Sequence, residues 1–186
     1  MDKAIFLDRD GTIIEERGYI CHLSESEIFT FSVDAVRRMN ENDFKVFGIT
    51  NQSSIARGIC TQEQVEKIHA QICEEFLKQR AVIHRFYYCP YHVDGMVEKF
   101  KKSHPCRKPA PGMLIRAAKD FNIDLSQSYM MGDDLIDILA GKNAGCKTVL
   151  VLTGKGRETR VKLEKENIVP DFISENILTA VEEIIR

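Results

Sequence analysis

The sequence predicts an α/β fold built on a single doubly wound parallel sheet, and three observations carry that prediction. Short apolar runs without alternation, such as Ala4-Ile5-Phe6-Leu7, read as strands buried on both faces. Helical patterns of about ten to fifteen residues separate these runs, which implies βαβ units. Several runs also end in polar or acidic residues (Asp8, Thr50, Asp133), where ligands sit in open parallel sheets.

Taken in order, the first strand ends at Asp8-Arg9-Asp10-Gly11-Thr12, and residues 13–31 form a flap without periodicity. Ser32 is expected to cap a helix from Val33 to Asn42, with Val33, Val36 and Met39 on one face. Lys45 to Thr50 reads as a second buried strand. Thr61-x-x-Gln64 is a capping box that opens a helix to Lys78. Ile83 to Cys89 is a third, aromatic-rich strand, and residues 89–111 form a loop with prolines at 90, 105, 109 and 111. Pro111-Gly112 opens a helix to Phe121. A fourth strand spans Tyr129 to Asp133, and a helix from Leu135 to Asn143 stops at Gly145. Thr148 to Thr153 is a fifth strand, Asp171 to Ile173 a short sixth, and Ile177 to Ile185 a closing helix.

At 186 residues, 44% hydrophobic and 29% charged, the chain suits one α/β domain spanning 1–186. A net charge of −2 gives no general attraction to nucleic acid or anionic membranes. No apolar run approaches the ~20 residues of a membrane span. Met1-Asp2-Lys3 runs straight into a strand and leaves no room for a signal peptide, so a cytoplasmic monomer is expected. In that reducing compartment the six cysteines are expected to stay out of disulfides. Cys73 and Cys146 read as small core residues, whereas Cys89 and Cys106 each have a histidine close by.

The strand ends suggest the chemistry. Asp8 and Asp10, at i and i+2 of an extended segment, can face one site. Thr50-Asn51, Lys108 and Asp133-Asp134 should converge on the same sheet edge. Clustered carboxylates repel and need a cation, and hard oxygen ligands suit Mg²⁺. Asp8 is the candidate nucleophile for an aspartyl-phosphate, and Asp10 can protonate the leaving oxygen and then deprotonate water. A hydroxyl or amide at residues 50–51 and the Lys108 ammonium can hold the oxygens of a transferring phosphoryl group.

These four clusters resemble the motifs of the haloacid dehalogenase superfamily of phosphohydrolases. Thr50 to Gly58, Tyr87-Tyr88-Cys89-Pro90 and Cys106 to Met113 are similar, more closely, to its heptose 1,7-bisphosphate phosphatases. The resemblance implies Mg²⁺ held by Asp8, the Asp10 carbonyl and Asp133, with Thr50 and Lys108 steadying the phosphoryl group. It implies sugar-phosphate contacts from Glu16, Arg17, Gly18, Tyr19, Asn51, Gln52, Ser53, Arg107 and the Asp134 position. The expected reaction is removal of the C7 phosphate in the making of ADP-heptose for lipopolysaccharide core. Too few residues separate Asp8 from Thr50 for a full cap domain, so an open site bordered by the flap and the 89–111 loop is expected.

The resemblance also implies a structural zinc on a Cys-x-His…Cys-x-Cys pattern, from which this chain departs. Tyr91 replaces the first histidine, His92 falls one place late, and His104 replaces a cysteine. Cys89, His92, His104 and Cys106 still make a chemically sound Cys₂His₂ set within the loop 89–106. Asp134 stands where relatives usually carry lysine, and Ile14 where they commonly carry asparagine. Histidinol phosphate or another small phosphate monoester is the alternative substrate. A phospho-aspartate receiver is the alternative of a different class, but receivers lack an acid/base two residues beyond the phosphorylated aspartate.

Overall fold

The structure, a computed structural model, describes residues 1–186. Six strands, β1 (Lys3–Leu7), β2 (Phe44–Asn51), β3 (Arg85–Cys89), β4 (Tyr129–Gly132), β5 (Lys147–Val151) and β6 (Phe172–Ser174), form one sheet in the order β3-β2-β1-β4-β5-β6. Every pairing is parallel. The strand order reverses between β1 and β4, which places a crevice beyond the ends of these two strands. The seven helices are α1 (Ser32–Glu41), α2 (Ser53–Ala56), α3 (Gln62–Lys78), α4 (Gly112–Phe121), α5 (Leu135–Ala144), α6 (Gly156–Lys165) and α7 (Ile177–Ile184). None is long and apolar enough to cross a membrane.

β1 shows why two helical layers form. Ile5 and Leu7 point to one face and join a cluster with Val36 and Met39 of α1, Ile68, Ile72 and Phe76 of α3, and Val181 of α7. Ala4 and Phe6 point to the other face, onto Met113, Leu114 and Ala117 of α4 and Ala140 of α5. All four β1 side chains are fully buried, so the unbroken apolar run is what this position requires.

Two expectations need correction, and two helices were not foreseen. Ser32 is the first helical residue of α1 rather than its cap; its hydroxyl donates to the Ile13 carbonyl (2.9 Å) and ties the helix to the flap. α6 escaped notice because Val161 and Leu163 are its only large apolar residues, and only Leu163 is buried. The single turn of α2 was too short to show a period. The cysteines also differ from six separate thiols. Cys21 of the flap is paired with Cys60, with 5.4 Å between Cα atoms, because the flap crosses the chain following α2. Cys89 and Cys106 are likewise in disulfide contact, with Cα atoms 5.6 Å apart, while Cys73 and Cys146 are free.

Between β1 and α1 the flap contains one short 3₁₀ turn and isolated bridges from Ile14 to Asp10 and Ile28. No cap domain interrupts the sheet, and the crevice opens beneath this flap.

Candidate active site

β1, β2 and β4 end side by side in register, with Leu7 opposite both Gly48 and Met131. The residues just beyond therefore meet. The carboxylates of Asp8, Asp133 and Asp137 place oxygens within 4.8 Å of one another. Gly11, at φ +78°, turns the chain away, and a Cβ there would collide with the Asp133 carboxylate.

Lys108 enters from the 89–111 loop and is 1% exposed at its side chain. Its Nζ donates to Asp137 Oδ1 (2.6 Å) and the Ile49 carbonyl (2.8 Å) and forms an ion pair with Asp8 Oδ1 (2.7 Å). Asn51 fixes the loop that delivers it. The Asn51 amide donates to the Lys108 carbonyl and accepts from the Lys108 N–H, each at 3.1 Å.

Sequence reading missed Asp137. It is fully buried inside the first turn of α5, where its Oδ2 accepts from the Asp134 N–H (3.0 Å) while Oδ1 takes Lys108. Both oxygens are thus satisfied by protein donors, which makes Asp137 the anchor of Lys108. Its signal was present as the acid three residues after Asp134, the second half of a capping box.

Lys108 pairs with Asp8 and Asp137 but not with Asp133, so the three carboxylates keep an excess of negative charge in the crevice. Burial would lower Lys108, but Asp137 and Asp8 outweigh it and hold the ammonium above an ordinary lysine. The acids are raised as well, which for them favours the neutral form. Burial is the main cause that raises Asp8, against Lys108 and with help from Asp137, Asp133 and Asp10. Burial again, then Asp137, pushes Asp133 up to about 7. Such a cluster is what a hard divalent cation relieves. Asp8 keeps Oδ2 free, and Asp133, whose Oδ2 accepts from the Lys155 N–H (2.7 Å), keeps Oδ1.

Asp10 stands outside this trio. The Arg9 guanidinium grips its carboxylate through Nε and Nη2 (2.9 Å to Oδ1), and Gln52 Nε2 donates to its Oδ2 (3.0 Å). Gln52 also donates to Thr50 Oγ1 (2.9 Å), which orients the hydroxyl beside the crevice.

Two adjoining cavities follow. A narrow one of about 110 Å³ is lined by Asp8, Asp10, Glu16, Thr50, Asn51, Lys108, Asp133, Asp134 and Lys155 among others. A wider one of about 300 Å³ is lined by Asp10, Glu16, Gly18, Tyr19, Asn51, Gln52, Ser53 and Lys155. Most of the anticipated substrate contacts therefore lie on one continuous surface. Arg17 and Arg107 do not: Arg17 pairs with Glu15, and Arg107 Nη1 donates to the Tyr91 carbonyl (3.2 Å). Lys155, which the sequence reading overlooked, lines both cavities and pairs with Glu16 (3.1 Å).

At the second cluster, Cys89, His104 and Cys106 offer ligand atoms within 4.8 Å of one another. His92 is not among them; its Nδ1 accepts from the Asp94 N–H (3.1 Å). Tyr91 stacks on His104 with ring centroids 4.3 Å apart.

Fold and site together define a phosphohydrolase of the haloacid dehalogenase type, and a family model described as HAD-hydrolase-like matches residues 105–180. A D-glycero-beta-D-manno-heptose-1,7-bisphosphate 7-phosphatase from Yersinia pestis is 40% identical over 82% of this chain and 81% of its own. A D-glycero-D-manno-heptose-1,7-bisphosphate 7-phosphatase from Chlorobaculum tepidum is 36% identical over 96% of this chain and 92% of its own. Among solved structures, the D,D-heptose 1,7-bisphosphate phosphatase from B. bronchiseptica, complexed with magnesium and phosphate, superimposes with a TM-score of 0.86. It is 29% identical, and 98% of each chain is covered. The chain belongs to the heptose bisphosphate phosphatase family of haloacid dehalogenase-type enzymes.

Proposed function

We propose that this protein is a Mg²⁺-dependent phosphatase that removes the C7 phosphate of D-glycero-D-manno-heptose 1,7-bisphosphate through an aspartyl-phosphate at Asp8. The observation that carries this reading is the free Asp8 Oδ2 at the β1–β4 crevice, with Lys108 fixed against its other oxygen. Asp8 and Asp133, with the Asp10 carbonyl, would hold Mg²⁺, which neutralises phosphoryl charge when bound. Asp8 Oδ2 attacks phosphorus, and the bond to the sugar oxygen breaks as that oxygen takes a proton from Asp10. Asp10 then accepts a proton from water, whose oxygen attacks the phosphorus and frees Asp8. Lys108 and the Thr50 hydroxyl steady the phosphoryl oxygens throughout.

Lys155 is the one exposed cation lining either cavity, at 50% side-chain exposure. It is assigned here to the substrate's second phosphate, which would displace Glu16 from it. Arg17 and Arg107 lie at the margins of this scheme, whereas Glu16, Gly18, Tyr19, Asn51, Gln52 and Ser53 shape the sugar pocket and Asp134 lines the narrow cavity beside it.

In the same proposal, Cys89, His104 and Cys106 as thiolates and imidazole hold a structural Zn²⁺, with His92 completing a tetrahedron after a rotamer change. The whole of 1–186 acts as one domain, a cytoplasmic monomer serving ADP-heptose synthesis.

The test is phosphate release with Mg²⁺ from both anomers of heptose 1,7-bisphosphate, fructose 1,6-bisphosphate and histidinol phosphate. A clear kcat/KM preference for a heptose anomer is expected. A preference for histidinol phosphate would keep the mechanism but replace the substrate.

A further inference from the structure

Arg9 and His69 are buried, titratable and absent from the scheme above. Arg9 is 1% exposed and His69 6%. The guanidinium spends Nε and Nη2 on Asp10, and its Nη1 lies 3.3 Å from His69 Nε2. A guanidinium can only donate, so the imidazole accepts, and must be neutral at that nitrogen. Burial, and then the charge of Arg9, hold His69 well below an ordinary histidine, which keeps that lone pair available.

The ring itself is fixed from below. Phe86 of β3 stacks on it with centroids 4.4 Å apart and 8° between planes. Phe86 in turn occupies the space beside Gly48 of β2, where a Cβ would collide with its ring. A chain of contacts thus runs from the sheet through His69 and Arg9 to the Asp10 carboxylate. Because the guanidinium is a rigid planar fork, holding Nη1 at one end sets the plane in which Nε and Nη2 present themselves to Asp10. Sixty residues of sequence separate the two ends of this arrangement.

We propose that His69 is a positioning residue that orients Asp10 through Arg9 for proton transfer to the leaving oxygen. The inference rests on the acid/base reading of Asp10, and it adds a residue that touches neither substrate nor metal. It also assigns a purpose to the Arg9 guanidinium, which would otherwise be a buried charge with one carboxylate partner.

The test uses leaving-group dependence. An alkyl phosphate such as the sugar substrate needs its departing oxygen protonated, whereas p-nitrophenolate leaves without help. His69→Leu removes the acceptor, and His69→Gln retains one. For His69→Leu, kcat/KM should fall about tenfold on the sugar bisphosphate and no more than about twofold on p-nitrophenyl phosphate. His69→Gln should recover most of the loss. Asp10→Asn, measured on the same pair, reads the underlying assignment separately. If Asp10→Asn discriminates between the substrates and His69→Leu lowers both equally, or neither, the positioning role is overturned while Asp10 stands. A His69→Gln variant as defective as His69→Leu overturns it too. If Asp10→Asn itself shows no discrimination, the acid/base reading fails and the role of His69 falls with it.

Discussion

The crevice at the sheet edge and the loop from Cys89 to Cys106 each gather residues able to hold a metal, by opposite means. At the crevice, Asp8 and Asp133 come from strands 125 positions apart in sequence, brought together because β1 and β4 pair in register. In the loop, Cys89, His104 and Cys106 are close along the chain, and only the path between them decides which side chains meet. The first arrangement is held by strand pairing and by Lys108, and carries surplus negative charge. The second consists of two sulfurs already touching, which can form a disulfide or share a cation. The proposed function assigns chemistry to the first and stability to the second.

Substitutions should separate the two regions, beginning with the largest effect. Asp8→Asn should lower kcat by at least about 10³-fold without loss of fold, read by phosphate release beside circular dichroism. Appreciable turnover would remove Asp8 as nucleophile. Asp137→Asn should come next, because it takes one of two carboxylates from a buried ammonium; a loss of about 3 kcal/mol is expected in urea unfolding, with reduced kcat. A stability equal to wild type would mean that Asp8 alone satisfies Lys108. Lys155→Met should raise KM for the bisphosphate about tenfold relative to a monophosphate of the same sugar. Equal changes on both would detach Lys155 from the second phosphate.

Cys106→Ser should behave differently from all of these. Bound zinc, read by metal analysis of protein purified under reducing conditions, should disappear and Tm should fall, with kcat within about threefold of wild type. A large kcat loss at full zinc occupancy would break the division between the regions.

The smallest effect concerns pH. Burial, with neighbouring carboxylates, raises Asp8, Asp133 and Asp137, and Asp133 reaches about 7. The folded state therefore holds protons that the unfolded chain releases between the ordinary carboxylate range and about 7, so metal-free stability falls as pH rises through that window. Mg²⁺ needs these groups ionised, so its gain in Tm should be larger at about pH 8 than at about pH 5.5. Equal gains at both pH values would mean that the ion binds elsewhere.

The same contrast explains what the sequence discloses. Strand ends were legible because apolar runs mark parallel strands, and topology then dictates that Asp8, Thr50 and Asp133 share an edge. Asp137 was hidden because its role depends on helix phase: one turn into α5, it faces back under Gly132 rather than out to solvent. Lys155 was hidden because α6, whose first turn it precedes, is almost wholly polar. Arg107 shows the converse, a motif residue whose side chain turns to the Tyr91 carbonyl and away from both cavities. The loop was least legible. Spacing alone admitted four ligands, and the path of the chain assembles three.

The most direct test of the whole account is the mass of the Asp10→Asn variant after brief incubation with p-nitrophenyl phosphate, whose leaving group needs no proton, and Mg²⁺. A blocked second step should leave one phosphoryl group on the protein, located to Asp8 in the peptide map and absent when Asp8 is also changed to Asn. A phosphoryl group on any other residue, or turnover without a covalent intermediate, would contradict the account.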